Sequence, residues 1–188
     1  MSIAYVTLSG HGLIDDCLSE TVTVLEDHGF RLAGTVRAHP LGCLDHPCDM
    51  EVRVLPDGPL HRISQPLGTG SRGCRLHGGA IETLAIEVEE RMPGADLLVV
   101  NKFGKQENLG RGLRPAIVKA IELGIPVLVG VNGMNLPALV EFTAGLAIQL
   151  RPDPRAVVAW AYDVRSPKAT VAPCGGHFLP AENVRPNF

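Results

Sequence analysis

A chain of 188 residues, 45% of them hydrophobic, has enough apolar mass to bury one full core. A formal net charge of −3 and an aromatic content of 4% exclude a nucleic-acid binder that relies on overall positive charge or on base stacking. No apolar run reaches membrane-spanning length, the first residues lack a basic leader, and five cysteines leave one unpaired, so a reduced cytoplasmic protein with no membrane partner is expected.

The first strand is predicted over residues 3–8 and ends at Ser9-Gly10-His11-Gly12. Apolar residues then recur with helical spacing at Ile14, Leu18, Val22 and Leu25, and His28-Gly29 stops that helix. Phe30 to Val36 reads as a second buried strand, which completes a strand–helix–strand unit of the parallel type. A polar loop holding Cys43 and Cys48 leads to a hairpin over residues 50–63, turned by Pro56-Asp57-Gly58. Residues 65–79 form a long glycine-bearing loop, followed by a helix from Ala80 to about Met92. A third strand spans 96–100, a helix 113–123, and a fourth, almost wholly apolar strand 125–131. Asn135 is placed to cap a helix with Pro137 in its first turn. A short segment at 147–150 and a helix from Asp153 to about Tyr162 finish the core, giving a single α/β domain over 1–163 and an irregular tail over 164–188. Strands that are apolar on both faces and alternate with helices indicate a three-layer sandwich around a mainly parallel sheet, with the hairpin as a small antiparallel appendage.

Three turns carry candidate chemistry. The first, Ser9 to Ser19, stands where a phosphate loop would follow the first strand. Such a loop needs a lysine and a hydroxyl residue after its last glycine to hold the β/γ-phosphates and magnesium. Leu13, Ile14 and Asp15 stand there instead, and Asp15 and Asp16 oppose a phosphate; Ser9 and His11 remain candidate contacts. The second is Leu67 to Leu76, where Gly70, Ser71 and Gly73 can form an anion-cradling nest and Arg72 and Arg75 add fork-shaped donors. The third is Asn101 to Arg114, with four cations, three glycines and the single carboxylate Glu107 between a strand and a helix. Lys102, Lys105 and Arg111 are its candidate ligand contacts, because cations at a helix N-terminus oppose the helix dipole and call for a compensating anion. Glu107 is placed to orient one of those cations. Asn101 and Asn132, each at a strand end, are placed to read a ligand's polar edge. Cys43 and His46, Cys74 and His77, and Cys174 and His177 make three Cys-x-x-His pairs, but none has zinc-finger spacing; no metal site is expected, with Cys48, Cys74 and His77 the weak candidates.

The motifs Cys48-Asp49-Met50, Arg62 to Gln65, Leu67 to Leu76 and Asn101 to Glu107 with Gly110-Arg111-Gly112 resemble the bacterial family catalogued as domain of unknown function 2478. The similarity runs from about residue 3 to 150. That resemblance implies no established activity; some family members are encoded beside molybdate-uptake or molybdenum-enzyme genes. More distantly, the layout is similar to the small nucleoside-triphosphatases of thermophiles, which carry a Gly-Lys-x-Glu element matched here by Gly104-Lys105-Gln106-Glu107. This similarity implies a phosphate-loop-NTPase-like fold. The missing loop lysine, and Asn101-Lys102 in place of an acidic pair, argue against ordinary magnesium-dependent hydrolysis. The expected function is binding of a small anion, either a nucleotide phosphate or an oxyanion such as molybdate, at the carboxyl edge of the sheet. Two alternatives are a nucleoside triphosphatase or phosphotransferase using Lys105 and Glu107 in an unorthodox site, and a metal- or thiol-redox protein using Cys48 and Cys74. A homodimer is the base-rate expectation.

Overall fold

The computed structural model describes residues 2–10, 12–38, 50–65 and 76–165. In chain order these form β1 (Ile3–Val6), α1 (Leu13–Asp27), β2 (Leu32–Arg37), β3 (Glu51–Leu55), β4 (Leu60–Arg62), α2 (Gly78–Arg91), β5 (Leu97–Phe103), α3 (Lys105–Asn108), α4 (Arg114–Glu122), β6 (Val127–Val131), α5 (Leu136–Phe142), β7 (Ile148–Gln149) and α6 (Pro154–Val164). The predicted tail lies outside the described residues, apart from Val164 and Arg165.

One sheet of seven strands runs β4-β3-β2-β5-β6-β1-β7. The strands β2, β5, β6, β1 and β7 are parallel, and the β3–β4 hairpin adds on antiparallel to β2 at one end. Each central strand is buried on both faces, which explains the unbroken apolar runs of the sequence. Ile14, Leu18, Val22 and Leu25 of α1 pack with Val157 and Trp160 of α6 on one face. Residues of α2, α4 and α5, among them Leu84, Val88, Ile117 and Leu139, cover the other. The predicted three layers are present.

Local chemistry sets the element ends. Helix α1 starts from Gly12 in the left-handed region, and its first turn carries Asp15 and Asp16, acids that the helix dipole favours there. It stops in a Schellman motif: Phe30 N–H donates to the Leu25 carbonyl at 3.0 Å and Gly29 N–H to that of Glu26 at 2.9 Å. Gly29 takes φ 73° there, a conformation open to glycine at no steric cost. The sequence signals did not mark α3, a single turn that the candidate loop forms between β5 and α4.

Two features position the crevice. Strands β1 and β6 are neighbours, yet α1 leaves β1 toward one face while α5 leaves β6 toward the other. Such a switch point opens a crevice at the carboxyl ends of the strands. Strand β5 also carries an extra residue near its end: Val100 pairs with Val129 but Phe103 pairs with Val131. Val100 and Phe103 therefore both face the α2–α4 layer, and the bulge between them turns Asn101 and Lys102 together toward α1.

Candidate functional site

Along the carboxyl edge the described candidates fall into an inner and an outer group. The inner group centres on Asp15, which is buried in the first turn of α1. Its Oδ1 accepts from Asn101 Nδ2 at 2.9 Å, and its Oδ2 faces Arg37 Nη1 at 3.5 Å and Lys102 Nζ at 3.9 Å. Arg37 also binds the Asp16 carboxylate through Nη2. Two cations and two carboxylates thus compensate each other where a phosphate loop would hold its guest. Gly130 of β6 makes room for this packing, since a Cβ there would lie 2.8 Å from both Ile14 and Leu18 and would run into the Asn101 carbonyl. Arg37 was not singled out from the sequence; the available signal was a cation directly ending a buried parallel strand.

The two strand-end asparagines differ. Asn132 is spent on its own loop, where its Oδ1 accepts from Asn135 N–H at 3.0 Å and from Asn135 Nδ2 at 2.9 Å, fixing the start of α5. Asn135 Oδ1 in turn accepts from Asn108 Nδ2 at 2.8 Å. Asn101 is 8% exposed, and its Oδ1 is buried with no hydrogen-bond partner among the described residues. Ser9 is exposed at the end of the first strand's loop, and His11 lies outside the described residues.

The outer group is the β5–α4 loop. Glu107 is 5% exposed, and among the described residues its carboxylate orients none of the cations: Oε2 accepts from Gly104 N–H at 2.8 Å and Oε1 from Leu113 N–H at 3.1 Å. It therefore ties the two ends of the loop together. Burial pushes its carboxyl above the usual range, and those N–H bonds offset part of the effect. Gly112, at φ 59°, is required beside it because a Cβ would enter the Glu107 carboxylate. Arg114 donates to the Glu107 carbonyl at 3.3 Å and lies over the Phe142 ring at 4.4 Å, so it serves the fold. Lys105 and Arg111 are exposed, and neither makes an ion pair among the described residues.

Arg111 lines an open groove of about 370 Å³ with Gly78, Gly79, Glu82 and Gln106. Gly78 and Gly79 open α2, whose N-terminus is capped by His77: Nδ1 accepts from Ala80 N–H at 2.9 Å. Glu82 is held to the far side of the loop, accepting from Gly112 N–H at 3.0 Å. The helix begins at Gly78 rather than Ala80, which turns two glycines of the expected loop into the first turn of a helix facing Arg111. Gly70, Ser71, Arg72, Gly73, Arg75, Cys48 and Cys74 lie outside the described residues. Among the described residues no group of His, Cys, Asp or Glu is arranged to hold a metal, and no helix is long and apolar enough to cross a membrane.

The fold is shared with solved structures. The crystal structure of THEP1 from the hyperthermophile Aquifex aeolicus superposes with a TM-score of 0.58 at 16% identity, covering 87% of this chain and 96% of that one. The solution structure of a human cancer-related nucleoside triphosphatase gives 0.57 at 18% identity, covering 87% and 95%. In sequence, the molybdenum import ATP-binding protein ModC 2 of Bradyrhizobium diazoefficiens is 32% identical over 154 residues, 81% of this chain. The match spans only 17% of that relative's length. The family described as "Protein of unknown function (DUF2478)" matches residues 3–160, and the chain belongs to that family.

Proposed function

We propose that this protein binds a small anion, a nucleotide phosphate or a tetrahedral oxyanion, at the carboxyl edge of its sheet, and that it does so without ordinary magnesium-dependent hydrolysis. The observation that carries the reading is the groove in which Arg111 faces the glycine-opened N-terminus of α2. The N–H groups of Gly78 and Gly79 have no partner among the described residues, and helix-terminal N–H groups beside an unpaired guanidinium favour an anion. This groove also joins the described ends of the two glycine-bearing loops, 65–79 and 101–114. The inner crevice supports the second half of the reading. Asp15 occupies the cations that a triphosphate would need, and Asn101-Lys102 supplies no carboxylate pair for magnesium. The name of the ModC 2 relative joins ATP binding with molybdenum import, which is consistent with either ligand class.

A thermal-shift screen of the full chain against phosphate, sulfate, molybdate, tungstate and adenine nucleotides, with and without magnesium, tests the reading. A true ligand raises the melting temperature by mass action. Arg111→Ala is expected to weaken that response about tenfold in affinity while leaving the unliganded protein within about 0.5 kcal/mol of the parent, as surface substitutions do. Unchanged affinity in this variant, or magnesium-dependent phosphate release by the parent, would count against the proposal.

A further inference from the structure

Resting on the anion-binding reading of the same groove, we infer that its guest is an organic phosphomonoester whose body carries a hydroxyl or amine donor, of the size of a nucleoside monophosphate, and that a bare oxyanion is the poorer ligand. The first observation is how charge is arranged. Arg111 and Glu82 line one groove, yet they make no ion pair with each other. Each is tied elsewhere. Glu82 stands on α2, and its Oε1 accepts from Gly112 N–H at 3.0 Å. Its Oε2 has no partner among the described residues. Arg111 stands on the loop between α3 and α4, where its backbone N–H donates to the Gln106 carbonyl at 2.9 Å. The groove therefore has a cationic pole and an acceptor pole that do not neutralise each other.

Gln106 adds a neutral group to the same lining. Its side-chain amide has no partner among the described residues, so it can turn either its N–H groups or its carbonyl toward a guest. Gly78 leaves the space before it clear, since a Cβ there would already stand 3.6 Å from Gln106 Nε2. Charge and size then decide the class of guest. A phosphate or molybdate ion at Arg111 would share the groove with the Glu82 carboxylate, and like charges in one site repel. A phosphomonoester sets its charged oxygens at Arg111 and offers an O–H or N–H of its body to Glu82 Oε2, as a charge-assisted hydrogen bond. Volume points the same way. The groove holds about 370 Å³, within the range of about 300–1,000 Å³ over which sites take small organic molecules. A tetrahedral oxyanion fills only a few water-sized volumes of about 30 Å³ each and would leave most of that space to solvent. Sites built to hydrogen-bond a ligand's hydroxyl or amine reject the analogue that lacks it.

Calorimetric titration of the full chain with adenosine monophosphate, ribose 5-phosphate, phosphate, sulfate and molybdate, in buffer stripped of divalent metal, tests the inference. The tighter of the two organic phosphates is expected to bind at least about tenfold better than any inorganic anion. A preference shared by ribose 5-phosphate supports a sugar hydroxyl as the donor, and one confined to the nucleotide supports the base amine. Glu82→Gln keeps an acceptor for Gly112 N–H but removes the charge. It should weaken the organic phosphate and tighten the inorganic anions, bringing all within about threefold, whereas a merely loosened loop would weaken every ligand. Arg111→Ala should weaken all of them. An inorganic anion binding the parent as tightly as the organic phosphates would overturn the inference and leave the anion site standing, a result that needs no variant to fold. An unchanged preference in Glu82→Gln would also overturn it. Binding of none of the probes, or binding that Arg111→Ala leaves intact, would sink this inference together with the reading it rests on.

Discussion

The inner crevice and the outer groove lie on one edge of one sheet and carry similar cations, yet they handle charge in opposite ways. In the crevice, Arg37 and Lys102 meet Asp15 and Asp16, and the chain supplies its own counter-charge. At the outer loop, Lys105 and the groove's Arg111 have no ion-pair partner among the described residues, because the loop's one carboxylate is turned inward, where it holds Gly104 and Leu113 N–H groups. A cation count per loop therefore says little about ligand affinity. What matters is where the neighbouring carboxylates are spent.

The sharpest way to break the contrast is at Glu107. Glu107→Ala leaves the part-buried Gly104 N–H and the buried Leu113 N–H without an acceptor, at about 1–3 kcal/mol each, so a loss of about 2–6 kcal/mol is expected in chemical denaturation. A loss below about 1 kcal/mol would mean that the loop does not depend on this tie. Next in size is Arg37→Ala, which removes the nearer of the two cations facing the buried Asp15 carboxylate, leaving it Asn101 and the longer pair with Lys102, and should cost about 2–3 kcal/mol. Adding Asp15→Asn to Arg37→Ala should restore part of that loss, and strict additivity of the two changes would show that they are not energetically paired.

The smallest effect is in the pH response. Because burial raises the Glu107 carboxyl in the folded state, folding favours its protonated form. Its contribution is fully present below the ordinary carboxylate range and is lost as pH rises through the raised value. Relative to Glu107→Gln, which does not titrate, the parent should gain stability as pH falls from neutral through that window. Denaturant midpoints for both proteins would show it, and a difference of the opposite slope would overturn the assignment.

Much of the fold could be read from the chain because the signals were local and strong. Fully buried strands such as Val127–Val131 leave unbroken apolar runs, and α1 buries the residues whose spacing predicted it. The site was legible only in outline. Lys102, Lys105 and Arg111 lie on the expected edge, but their pairing depends on Asp15 and on Glu107, whose partners are set by tertiary approach and by backbone N–H groups. Asn101 and Asn132 occupy equivalent strand ends and look alike in sequence. Asn132 holds the turn before α5 through Asn135 and Asn101 meets α1, a difference decided by what packs above each strand.

The extra residue near the end of β5 ties the two sides of the sheet together. Phe103 is wholly buried in the layer opposite α1 and stacks with Phe142 at 6.0 Å between ring centroids. That anchoring keeps the strand from straightening, and a straight strand would swing Lys102 to the wrong side. The aim of a charged side chain in the crevice is thus governed from behind the sheet by an aromatic residue that no guest would touch.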